Sequence, residues 1–343
     1  MNGPSGRRLA GAVAGVRGEF AGGRERPEPL RLEEVAEASD LIATHLGIPA
    51  DQLYFVGDGR LAHTLAFAGL PPSPRAVSAI ERAEILAQAT LTLPVSPSGH
   101  LRQLDLASGK GNFEKGNFSV GWVNGEIGTI QEISALAEEI HEGGGYLHSD
   151  LSFGLGSLPV PTGWDVASID ARAFGGPTLG IMAIKSRTRW SNPLPTLSPQ
   201  FDHIQADERL IIEAASTLAG YAEKAKENSA RIAHFNATLR SRCAQLTHID
   251  VAGDSTGIPH IITFSVLYAQ GEELVRAFAA HSFHVASGSA CMSANLEPSH
   301  VLSASGKLTH GNVRLTIPYD EPDESLNHFL EVLPQVIEGV RQS

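Results

Sequence analysis

Short apolar runs alternate with helical segments along most of this chain, and that alternation constrains its fold more than any other feature. Leu53-Tyr54-Phe55-Val56 reads as a strand, and Gly57-Asp58-Gly59 then opens a turn into a helix over residues 60–69. The pattern continues with strands expected at 76–79, 91–95, 118–123, 146–150, 165–170 and 180–184, and with helices at 81–89 and 131–142. Ahead of the first strand, Leu32, Val35, Ala38, Ile42 and Leu46 recur at helical spacing until Gly47 stops the helix. Strands alternating with helices imply a mostly parallel sheet covered on both faces. The glycine turn leading into a helix is also a geometry at which backbone N–H groups can hold a phosphate.

The pattern changes after Pro193, Pro195 and Pro199. A long helix is expected over residues 206–239, followed by the strand Ile261-Ile262-Thr263-Phe264-Ser265, a helix at 271–281, a strand at 313–317 and a helix at 325–340. That order suggests a smaller α+β unit. The chain therefore divides into a Gly- and Arg-rich arm (1–28), a large α/β unit (29–204) and the α+β unit (205–343). At 343 residues there is ample length for such cores. A formal charge of −12 argues against nucleic acid or an anionic membrane as the main partner. No apolar run approaches the roughly 20 residues that cross a bilayer, and residues 1–20 lack the apolar core of a secretory signal. Cys243 and Cys291, far apart in sequence, suggest no disulfide framework, so a reducing cytoplasm is the expected compartment. The histidines show no metal-ligand spacing, so no metal site is expected.

The most specific stretch is Ser287-Gly288-Ser289-Ala290-Cys291-Met292-Ser293-Ala294-Asn295-Leu296-Glu297-Pro298, preceded by Ile258-Pro259-His260-Ile261 and the Gly271-Glu272 turn. Across residues 257–306 the chain resembles the cysteine desulfurases of the NifS/IscS kind, class V aminotransferase enzymes that use pyridoxal phosphate (PLP), and weaker similarity extends over residues 3–335. The resemblance implies PLP-dependent transferase fold type I, with a mostly parallel, seven-stranded type of sheet, and a twofold dimer. It implies that Cys291 is the sulfur-accepting thiol and that Asn124 contacts the cofactor's ring oxygen. Asp150 would pair with the pyridine nitrogen. Gly57 and Gly59 would lie in the phosphate turn, and Arg314 would clamp the substrate carboxylate with its planar fork.

The departures from that family are as informative. Ile169-Asp170-Ala171-Arg172-Ala173-Phe174-Gly175-Gly176-Pro177 is similar to the family turn that carries the Schiff-base lysine four residues before the proline, and Ala173 stands at that position. The hydroxyl-bearing phosphate turn has become Val56-Gly57-Asp58-Gly59-Arg60-Leu61. Arg82 replaces the histidine that stacks on the cofactor, Phe153 a glutamine that reaches the ring oxygen, and Arg172 the histidine before the lysine. Residues 195–204 lack the arginine segment that reaches the partner's phosphate. Lys185 is expected at the far end of the next strand, and Lys110 and Lys115 in a glycine-rich loop, all too distant to substitute.

The implied protein keeps the desulfurase fold and lacks PLP–lysine catalysis, with PLP absent or held without a covalent bond. It would serve as a partner, regulatory or sulfur-relay subunit through Cys291. Two alternatives remain at this stage: an active PLP enzyme with a displaced lysine, and a remodelled anion site built from Arg60, Arg82, Arg172 and Arg314. The expected partners are a second copy of the chain, an intact desulfurase paralogue, or a sulfur-acceptor protein.

Overall fold

A computed structural model describes residues 32–102, 115–194, 203–287 and 298–342. Its large sheet has the strand order β3-β2-β4-β5-β6-β7-β1-β8, formed by β1 (Leu53–Val56), β2 (Arg75–Ser78), β3 (Leu91–Leu93), β4 (Asn117–Ser119), β5 (Tyr146–Asp150), β6 (Val166–Asp170), β7 (Gly180–Ile184) and β8 (Ile204–Gln205). The pairs from β3 through β6 are parallel, and β7 runs antiparallel to both β6 and β1. The expected seven-stranded type of sheet gains an eighth, two-residue strand, β8, at its edge. β7 reverses because only a 3-10 helix (Ala171–Phe174) and a turn separate it from β6, too little chain for a crossover.

Side-chain alternation builds two apolar layers. Ala167, Ile169, Ile181 and Ala183 face one way, against α1 (Leu32–Leu46), α4 (Ile133–Glu142) and the first half of α5 (Glu208–Gln245). Val166, Met182 and Ile184 face the other, against α2 (Gly59–Ala68) and α3 (Ala83–Leu86). Strands buried on both faces read as continuous apolar runs, which is why β6 and β7 stand out in the sequence.

The C-terminal part has an antiparallel sheet, β11-β10-β9, formed by β9 (Ile249–Val251), β10 (Ile261–Val266) and β11 (Asn312–Thr316). The second half of α5, α6 (Gly271–Ala280) and α8 (Asp323–Gln342) cover it, and Phe278 stacks on Phe329 at 5.1 Å. A short helix, α7 (His300–Ala304), lies beside the large sheet.

Two expected helices differ in length. The helix expected at 81–89 shortens to α3, because Leu91 must already pair with Ala76 in the sheet. The long helix runs past 239 to Gln245, because Leu239 and Cys243 are buried under the second sheet. No helix among the described residues is long and apolar enough to cross a membrane.

Candidate functional site

The parallel strands β2, β4, β5 and β6 end together, and ligands bind outside the carboxyl ends of such strands in open α/β folds. A cavity of about 530 Å³ opens there. Glu81 and Arg82 follow β2, Asn124 and Gly125 follow β4, Asp150 ends β5 and Asp170 ends β6, while Arg314 of β11, Ser299 and His300 close the far wall.

Asp150 is buried, and its partners are all internal. Arg82 donates from Nε to Asp150 Oδ2 at 2.6 Å. The Ser152 backbone N–H donates to Oδ1 at 2.9 Å, and the Ser152 hydroxyl donates to the same oxygen. Burial alone would push this carboxyl up, but Arg82, His63 and Ser152 outweigh it and hold it well below the ordinary carboxylate range. Burial likewise works against the charge on Arg82, and Asp150 overcomes it, raising the guanidinium pKa. The Arg82 guanidinium also lies 5.5 Å from the Phe153 ring centre. Phe153 lies so close to Gly125 that a methyl group on that glycine would run into the ring.

Asn124 is spent in the same way. Its Nδ2 donates to Ile80 O at 2.9 Å, and its Oδ1 accepts from the Glu126 and Ile127 backbone N–H groups at 2.9 and 3.0 Å. In the Gly57-Asp58-Gly59 turn, Asp58 caps α2 by accepting from the Leu61 N–H at 2.8 Å, so the helix start already holds a carboxylate of its own chain. Gly59 packs on Asp170, with no space for a side chain between them. Asp170 in turn takes a two-pronged ion pair from Arg172, Nε to Oδ1 at 3.0 Å and Nη2 to Oδ2 at 2.7 Å.

Of the four cavity arginines, Arg82 and Arg172 are thus tied to carboxylates. Arg314 donates to Gly125 O at 3.4 Å, and its buried Nε has no partner among the described residues. Ala173 is half-buried on the 3-10 helix and does not line the cavity. Among the described residues no lysine lines it. Lys185 lies at the other end of β7, with its Nζ 4.1 Å from the Trp164 ring centre. The five residues of β7 set it about 16 Å from the Asp170 end, at 3.3 Å per residue. Lys110 and Cys291 lie outside the described residues.

The sequence reading gave no role to a buried polar row in this sheet. Glu81, Ser119, His148, Ser168 and His63 are each at most 4% exposed and follow one another by hydrogen bonds. The available signal was polar residues at the inward α2-facing positions of otherwise apolar strands, Ser119, His148 and Ser168. Among the described residues no cluster of three His, Cys, Asp or Glu could hold a metal.

No family model matches the chain. Among curated proteins it is 28% identical over 336 residues to a cysteine desulfurase IscS of Dictyoglomus turgidum, covering 90% of this chain and 84% of that one. It is 29% identical over 245 residues to the cysteine desulfurase IscS of Clostridium botulinum (65% of this chain, 60% of that one). It is 30% identical over 238 residues to that of a Shewanella species (65% and 58%). The last two matches span less than two thirds of the relative's length. Among solved structures, a NifS-like protein from Rickettsia africae superposes with a TM-score of 0.76 at 19% identity, over 89% of this chain and 88% of that one. An apo cysteine desulfurase from Thermococcus onnurineus gives 0.71 at 17% identity, over 90% and 84%. The fold is therefore that of the NifS-like proteins of PLP-dependent fold type I. By sequence, the chain is similar to cysteine desulfurases IscS over most of its length.

Proposed function

We propose that this cysteine desulfurase-like chain does not perform PLP–lysine catalysis and serves as a partner, regulatory or sulfur-relay subunit, with Cys291 as its sulfur-carrying thiol. The observation that carries this reading is the Arg82–Asp150 ion pair at 2.6 Å in a cavity that no lysine lines among the described residues. By the resemblance, Asp150 is the group that would keep the pyridine ring protonated. Here that carboxylate is already neutralised by Arg82 and accepts from Ser152, and Phe153 fills the space over Gly125. Asn124 braces its own turn, and Asp58 caps the start of α2. The residues present do not fit PLP held through a Schiff base.

The absorption spectrum of protein purified with excess PLP tests this. The expected protein is colourless, and borohydride leaves no pyridoxyl-lysine adduct by mass spectrometry. A stoichiometric adduct on Lys185 or any other lysine overturns the reading.

The same reading makes the chain a twofold dimer with itself, on the general preference of soluble oligomers for that symmetry. A pair with an intact paralogue is the alternative, and a sulfur-acceptor protein the downstream partner. Light scattering showing a clean monomer would refute the self-dimer. A reducing cytoplasm suits a relay thiol, which must stay free to carry sulfur.

A further inference from the structure

We infer that Glu81, Ser119, His148, Ser168 and His63 form a two-state hydrogen-bonded chain that locks the tautomers of two buried histidines to the charge on one cavity carboxyl group. The chain starts at the cavity wall with Glu81 and crosses under α2 from β2 to β6. Ser119 Oγ lies 3.3 Å from Glu81 Oε1 and 2.8 Å from His148 Nδ1. His148 Nε2 lies 2.8 Å from Ser168 Oγ, which lies 2.7 Å from His63 Nδ1. His63 Nε2 ends the chain, buried and without a partner among the described residues.

With each group donating to one neighbour and accepting from the other, two head-to-tail arrangements are possible. A neutral imidazole has one donor and one acceptor nitrogen, and a hydroxyl has a single proton to give. When Glu81 is ionised, Ser119 donates to it and must accept from a protonated His148 Nδ1. His148 Nε2 then accepts from Ser168, and Ser168 accepts from a protonated His63 Nδ1. His63 Nε2 is left as a bare lone pair, the cheaper kind of unmet group in an apolar site.

When Glu81 takes up a proton, the order reverses. Its other close neighbours, the backbone N–H groups of Arg82 and Gly121, are donors and cannot accept. Ser119 Oγ, 3.3 Å away, can accept, so Ser119 turns to donate to His148 Nδ1. His148 then carries its proton on Nε2, Ser168 donates to His63 Nδ1, and the His63 proton moves to Nε2. One proton is gained in all, every group in the chain is neutral, and nothing is oxidised or reduced.

Several charges face this chain. Asp150 and Arg82 flank Glu81, and Glu84 lies on the same turn. His300 Nε2 bonds the Glu81 carbonyl at 2.7 Å from α7. Asp150, Arg82, Glu84 and Asp170 act on His63, and His63 and Asp150 act on His148. Arg60, Glu126, Arg172 and Arg314 face Glu81 across the cavity. Burial first, and the Asp150 charge second, push the Glu81 carboxyl up to about 7. Burial above all holds His148 down at about 3, so it stays neutral while Glu81 titrates. The cavity thus changes charge by one near neutral pH, and an anion entering beside Glu81 would be taken up together with a proton.

Long-range 1H–15N spectra of histidine-labelled protein test the inference between pH 5.5 and 8.5. His63 and His148 should show protonated Nδ1 at high pH and protonated Nε2 at low pH, switching at one shared midpoint. The switch should vanish in Glu81→Gln. Should that variant not fold, Ser119→Ala serves, since it cuts Glu81 from His148 and should leave both tautomers independent of pH. Tautomers that stay fixed in the native protein, that switch equally in a variant, or that give way to a doubly protonated ring overturn the proposal.

Discussion

Replacing Arg82 by Met keeps much of the side-chain length and removes the charge opposite Asp150. The Asp150 side chain is 6% exposed, and it would be left with the Ser152 groups as its close donors. Removing one partner of a buried pair costs about 3–5 kcal/mol. The Arg82 side chain is itself 29% exposed at the cavity mouth, so water can reach the vacated position. The lower end, about 3 kcal/mol, is the expected loss, of which the contact with Phe153 supplies roughly 0.5–1 kcal/mol.

The pH dependence has a definite sign. In the native protein the Asp150 carboxyl is held low, so its contribution is present above the ordinary carboxylate range and is lost as pH falls through its folded value. In Arg82→Met, burial acts unopposed by the guanidinium and raises the same carboxyl, so its charged form destabilises the fold. The gap between the two proteins should therefore be widest at neutral pH and should narrow toward pH 4. Urea unfolding at pH 7.5 and pH 4.5 measures it directly. Adding Asp150→Leu to Arg82→Met should recover most of the loss, because a buried pair replaced by apolar groups is often neutral. A loss below about 1 kcal/mol at pH 7.5, or one independent of pH, would refute the view that Arg82 is what satisfies Asp150.

Two further outcomes are expected. Gly125→Ala should destabilise the protein by about 1–3 kcal/mol, because the new methyl meets the Phe153 ring. In a Phe153→Ala background it should cost little, and equal costs in both backgrounds in a double-mutant cycle would show that the ring is not what excludes it. Cys243 is fully buried and its thiol is pushed up to about 12 by burial, so it should alkylate slowly in the native protein at pH 8 while Cys291 reacts quickly. If both thiols react only after unfolding, Cys291 is a structural residue and the relay role fails.

What the sequence determined by itself was local. Period-two and helical spacing act over a few residues, so β1, β5, β6, β7 and β10 and the helices α1, α2, α4, α6 and α8 could be located from residue order alone. The edge pieces β8 and β9 carry too few residues for a period, and they exist because β1 and β10 offer them unpaired edges. The family resemblance singled out Asp150, Asn124 and Arg314, and all three line one cavity. It could not reveal that Arg82, 68 positions from Asp150, turns its Nε onto that carboxylate, or that Asn124 braces its own turn. The chain from Glu81 to His63 was further out of reach. Its members come from three strands, the turn after a fourth and a helix, and only the parallel register that sets Ser119 opposite His148 aligns them. Hydrogen bonds across a sheet depend on which strands become neighbours, and that is settled by packing the whole core, so the site's chemistry was decided by the tertiary structure.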